Sequence, residues 1–115
     1  MNGLFLEDLK PGMSAMFGKT VTEADIMAFA GVSGDTNPIH LHDGFARTTR
    51  FGQRIAHGML GSSFISTVIG TKLPGPGAVY ISQSLAFLAP VLIGETITAI
   101  ATITAIDTAR RRVTL

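Results

Sequence analysis

Asp35-Thr36-Asn37-Pro38-Ile39-His40 sets a carboxylate and an imidazole five positions apart. Such a pair can draw a proton from one atom and deliver one to another, which is what general acid–base chemistry requires. The string is expected to be neither regular helix nor strand. A residue before proline is pushed out of the α region, so Asn37 reads as extended or as part of a turn. Ser33 and Gly34, just upstream, add turn punctuation. Each residue also has a plainer use. Asp35 can close an Asx-turn or cap a helix, and His40 can be a partly buried histidine bonded to backbone.

The flanking elements must hold that segment in place. Thr22 reads as a helix N-cap with Asp25 at N3, near the positive helix end. Ile26, Phe29 and Ala30 recur at helical spacing, so a short amphipathic helix is expected from Glu23 to about Ala30, ended by Gly31 and Gly34. This sets the acid and the base just past a helix C-terminus. A second short helix is expected from Asp43, as cap, to about Thr49, with Phe51 to Ile55 as loop. From His57 or Gly58 to about Thr71 the chain is apolar or small on every side, which predicts a helix buried all round. At about 1.5 Å per residue it spans roughly 20 Å, the length of a typical strand.

Strands are expected around that helix. Residues 4 to 17 read as one or two strands joined by a turn at Lys10-Pro11-Gly12. Ala78 to Leu88 is rich in β formers, with Val79, Ile81, Leu85 and Phe87 on one face. Thr96 to Ile106 alternates, with Ile97, Ala99, Ala101, Ile103 and Ala105 on one side. Val113 to Leu115 begins a further strand. A long helix wrapped by an antiparallel sheet is an α+β arrangement.

Ser33-Gly34-Asp35-x-Asn37-Pro38-x-His40, followed by Ile55-Ala56-His57-Gly58-Met59-Leu60, resembles the MaoC-like hydratase family. That family includes (R)-specific enoyl-CoA hydratases and (R)-3-hydroxyacyl-ACP dehydratases. The similarity runs from Phe5-Glu7-Asp8-Leu9 to the alternating stretch after Gly94. It implies the hotdog fold over residues 1–115 as a single domain, and a homodimer with the central helices near its interface. Members of the family usually run one or two strands further. The expectation is therefore either a fragment or a sheet completed by a partner subunit.

The resemblance also assigns roles. Asp35 and His40 hold a water between them. Asp35 draws off its proton and His40 protonates C2 of an enoyl thioester, or the roles are reversed or shared. Asn37 orients the loop or the water, or only satisfies the turn. Pro38 turns His40 toward Asp35. Gly58 is the expected oxyanion donor, since the first N–H groups of a helix lack intrahelical acceptors and the dipole there is positive. His57 bonds the loop or caps the helix, and Ser66, two turns in, supports the pair. Met59, Leu60, Phe64, Phe45 and Phe51 are available to line an acyl tunnel or simply to fill the core. Arg47, Arg50, Arg54 and Lys72 can meet the phosphates of coenzyme A or of a carrier protein, or be solvated surface.

No cofactor is expected; coenzyme A enters as part of the substrate. His40-x-His42 with His57 and Asp43 invites a zinc reading, but their spacing matches no metal motif. There are no cysteines, which excludes disulfides and thiolate catalysis. The net charge is +1, and three of the nine basic residues are Arg110-Arg111-Arg112, so six face the eight acidic ones elsewhere and no nucleic-acid partner is expected. Hydrophobic residues make up 46% and charged ones 15%, which leaves little polar surface for a free monomer and favours a covered apolar face. No stretch is long and apolar enough to span a bilayer, and no signal peptide is evident at Met1-Asn2-Gly3, so a cytoplasmic protein is expected.

Four functions are compatible with these residues. They are an enoyl-CoA hydratase giving the (R)-3-hydroxyacyl product, an acyl-carrier dehydratase, a non-catalytic acyl-binding module, and a thioesterase. The acid in Asp35 argues against the module, and the Asn-Pro-x-His context favours hydration over thioester cleavage.

Overall fold

The computed structural model describes residues 2–115. In chain order the elements are a 3₁₀ turn at Leu6–Asp8, strand β1 (Ser14–Thr20), and helices α1 (Glu23–Ser33), α2 (Pro38–Leu41), α3 (Asp43–Arg47) and α4 (Gly58–Thr71). Strands β2 (Thr96–Thr102), β3 (Ala105–Asp107) and β4 (Arg112–Thr114) follow. β1 pairs with β2 and β3 with β4. The chain divides into two compact units. Among the described residues, no helix is long and apolar enough to cross a membrane.

The first unit holds the chain up to Gly18, Phe64–Gln83 and Thr98–Leu115. Its core is Leu9, Leu73 and Ile103, with Leu6, Met13, Ala15, Ile106 and Val113 packed against them. The turn at Lys10-Pro11-Gly12 forms, but it joins the 3₁₀ turn to β1, and no strand precedes it among the described residues. Gly12 takes a φ of 93°, a left-handed conformation that glycine adopts without penalty. It delivers Met13 to bond Ile103, whose N–H donates to the Met13 carbonyl at 2.8 Å. Ser14 and Thr102 meet through their hydroxyls at 3.2 Å. β3 and β4 form an antiparallel hairpin with Ile106 opposite Val113.

The second unit holds Lys19–Ser63 and Ser84–Ile97. Thr20 and Thr96 are hydroxyl partners at 2.6 Å, and the Val21 N–H donates to Glu95 O. Val21, Ile26 and Ala46 are fully buried. α1 starts as the sequence indicates. Thr22 Oγ1 accepts the Asp25 N–H and Asp25 Oδ2 accepts the Thr22 N–H, a reciprocal capping box. The Lys19 ammonium also bonds Asp25. These bonds, the Lys19 one first, hold the Asp25 carboxyl below its ordinary value. α1 runs three residues past the expected end. Gly31 is accommodated inside it, and Gly34 alone closes it, in the left-handed conformation with its N–H on Ala30 O.

Several further expectations are corrected. The segment carrying His40 is a short helix and not irregular chain. Asn37 keeps a non-helical ψ of 126° and caps α2, and Pro38 occupies the first helical position, where its missing N–H costs nothing. α3 is capped by His42, whose Nδ1 accepts the Phe45 N–H at 2.9 Å, and not by Asp43; it stops at Arg47. Residues 78–88 form no strand, and Val79, Ile81, Phe87 and Leu88 are exposed. β propensity becomes a strand only where a neighbouring backbone takes the N–H and C=O groups. The alternation after Thr96 holds through Ile103 and then breaks, so Ala105 lies exposed and Ile106 turns inward.

α4 has the expected bounds but is not buried all round. Leu60, Ser62, Phe64 and Val68 are buried, while Met59, Ser63, Ser66 and Gly70 are exposed. The exposed positions follow the spacing of one helix face. That face is mostly small or hydroxylated and tolerates water.

Candidate active site

The second unit brings Asp35, His40 and His57 together. One ligating atom from each lies within 4.8 Å of the other two. Asp35 sits just past the α1 cap on an exposed turn. Its N–H donates to Ser33 Oγ at 3.1 Å, and its Oδ1 accepts the Asn37 N–H at 3.2 Å. This Asx-turn uses one of the two carboxylate oxygens. Asn37 in turn spends its Oδ1 on the Ile39 N–H at 3.1 Å. Its side-chain oxygen therefore serves the turn, one of the two expected uses.

His40 is buried, and its Nδ1 lies 2.7 Å from Ile55 O. A carbonyl only accepts, so Nδ1 carries a hydrogen and Nε2 is the atom left for chemistry. The His40 carbonyl accepts from Arg54 Nε at 2.6 Å, and Ile39 O accepts the Ile55 N–H at 3.3 Å. Arg54 also bonds Glu23 at 2.8 Å and lies 3.9 Å from Asp43. Its side chain is only 10% exposed. It is thus a largely buried tie between α1 and the segment that carries His40, and is not free to meet a phosphate. Lys72 is likewise engaged, donating to Met16 O at 2.6 Å. Arg50 stacks over Phe51.

His57 is 2% exposed. Its Nε2 lies 2.9 Å from Asp35 O, so it bonds the loop, as one of its two expected roles requires. Its ring stacks on His40 with centroids 3.9 Å apart, and Phe29 lies 4.8 Å away on a tilted contact.

Gly58 opens α4. A Cβ placed there would stand 2.9 Å from the Phe87 ring, so a side chain would displace it. Phe87, expected on a strand face, instead lies beside the helix start. Of the expected tunnel residues, Leu60 and Phe64 are buried and Met59 and Phe45 exposed. Ser66 is exposed, in the part of α4 that belongs to the first unit.

Could the Asp35, His40 and His57 cluster hold a metal? The imidazole planes are within 28° of parallel. An ion about 2 Å from a nitrogen of each ring would lie well out of both ring planes, where neither lone pair points. The cluster as it stands suits a bridging water better. Two hydrogen bonds of about 2.8 Å reach across the 4.8 Å within which the ligating atoms lie.

Residues 9–114 match the model of the MaoC like domain. The (R)-specific enoyl-CoA hydratase of Rhodospirillum rubrum is 54% identical over 110 residues, 96% of this chain and 76% of that one. The 3-hydroxybutyryl-CoA dehydratase of Methylorubrum extorquens is 53% identical over 92 residues, 80% of this chain and 59% of that one. Among solved structures, the (R)-hydratase from A. caviae involved in PHA biosynthesis superimposes with a TM-score of 0.86 at 42% identity, covering 89% of this chain and 77% of that one. A match of this breadth in both sequence and backbone means that the chain belongs to the MaoC-like family and carries its hotdog fold.

Proposed function

We propose that the protein is an (R)-specific enoyl-CoA hydratase, adding water reversibly and syn across the C2–C3 double bond of a trans-2-enoyl-CoA. The observation that carries this reading is the Asp35–His40–His57 cluster, with ligating atoms within 4.8 Å of one another in a family member. The hydratase from Rhodospirillum rubrum, at 54% identity, supports the same substrate class.

In this mechanism a water sits between Asp35 and His40 Nε2. Asp35 takes its proton as the oxygen attacks C3. Negative charge moves to the thioester oxygen, where the N–H groups at the α4 start, Gly58 first, receive it. His40, with Nδ1–H held on Ile55 O, gives the Nε2 proton to C2. The proton gained by Asp35 then returns to His40, and the pair is reset. Asn37 keeps the turn in shape. No cofactor or metal takes part.

The protein is further read as a cytoplasmic homodimer. Exposed Met59, Val79, Ile81, Phe87 and Leu88 are apolar surface that a partner subunit would cover. The test of function is hydration of a short trans-2-enoyl-CoA with chiral resolution of the product. The (R)-3-hydroxyacyl thioester is expected. The (S) product would sink the reading, and turnover of the acyl-carrier thioester alone would move it to the dehydratase of fatty-acid synthesis.

A further inference from the structure

His57 is the one group of the cluster without a chemical role in that reading, and it touches both of the others. Its Nε2–H holds Asp35 O, and its ring face holds the His40 imidazole. The hydrogen bonds that Asp35 makes for itself reach only Ser33 and Asn37, inside its own exposed turn. His57 arrives from twenty-two residues away on a backbone fixed by the Ala56 N–H to Val91 O at 2.7 Å.

A second observation concerns the other ring nitrogen. Nδ1 of His57 is buried and has no hydrogen-bond partner among the described residues. With Nε2 carrying the hydrogen, Nδ1 is an acceptor with nothing to accept, which costs free energy at a buried site. A phenylalanine would offer the same ring face to His40 and Phe29 without that cost. What it would not offer is the Nε2–H on Asp35 O.

We infer that His57 is a positioning residue for hydration, setting the distance between the Asp35 carboxylate and the His40 ring through its Nε2–H bond to the Asp35 carbonyl. It is too buried to bind substrate, so it acts through Asp35. The inference rests on the hydratase reading above. It adds that the reach between acid and base depends on a hydrogen bond from outside the Asp35–His40 segment.

Two variants separate this from simple packing. His57→Phe keeps the ring and removes the donor; His57→Gln keeps an amide donor near the Nε2 position and removes the ring. Steady-state kinetics on a short trans-2-enoyl-CoA and thermal melting are read together. The expected pattern is crossed. His57→Phe melts near the parent, holds KM within about threefold and loses kcat by about 10- to 100-fold, the scale of a small misplacement. His57→Gln melts lower but turns over faster than His57→Phe. A phenylalanine variant with the parent's kcat, or a glutamine variant no faster than it, overturns the inference. Should His57→Phe fail to fold, the glutamine variant decides alone: kcat within about tenfold of the parent supports the role, and a deeper loss at unchanged KM overturns it. A parent that hydrates nothing fails the functional reading instead, and is told apart by that control.

Discussion

At the scale of single residues, His40 is held from two sides. Ile55 O fixes which ring nitrogen is left for chemistry, and Arg54 grips the His40 carbonyl while pairing with Glu23. With its side chain 10% exposed, Arg54 cannot be replaced by water on all its bonds. Arg54→Ala is therefore expected to cost about 2–3 kcal/mol of stability by denaturant unfolding and to lower kcat at temperatures where the variant stays folded. A variant as stable as the parent would show that Arg54 ties nothing together. Asp35, Asn37, His40 and Gly58 stand out in the sequence because their types and order form one motif. Arg54 does not, because its partners lie 14 and 31 residues away and only the fold brings them together. The same holds for Phe87 beside Gly58.

Elements were legible wherever their determinants are local. The α1 start follows from Thr22 and Asp25, which satisfy each other three residues apart. The bounds of α4 follow from a run of apolar and small residues without a charge or a proline between Gly58 and Thr71. The Asn37 constraint holds, but turn punctuation at Asn-Pro does not by itself reveal α2, because a proline at the first turn also starts a helix. Residues 78–88 were misread because a strand is a relation between two backbones and composition reports on only one. The capping box makes a pH prediction. Asp25 has its carboxyl lowered in the folded state, first by Lys19 and then by the Thr22 N–H. Its contribution is fully present above the unfolded carboxyl value of about 4 and is lost as pH falls through the lower folded value. Asp25→Asn should cost about 1 kcal/mol at pH 7, and the gap to the parent in melting temperature should close as the pH falls below about 4. A gap that is the same at acid and neutral pH would mean that the charge of Asp25 does nothing for α1.

At the scale of the whole molecule, Asp35, His40 and His57 come together in the second unit while the first packs its own core on Leu9, Leu73 and Ile103. The exposed apolar residues on 78–88, with Met59 at the α4 start, are what a partner subunit would cover. Sedimentation equilibrium is expected to return twice the chain mass of 12.1 kDa; a monomer at micromolar concentration would contradict the dimer. The central claim is that Asp35 and His40 hydrate an enoyl thioester. The most direct measurement is the loss of enoyl absorbance after a short trans-2-enoyl-CoA is added, run on the parent beside Asp35→Asn and His40→Gln. The account predicts turnover by the parent and a fall in kcat of at least about 100-fold in each folded variant, the scale of a lost general acid or base. Parent-like turnover in either variant would contradict it.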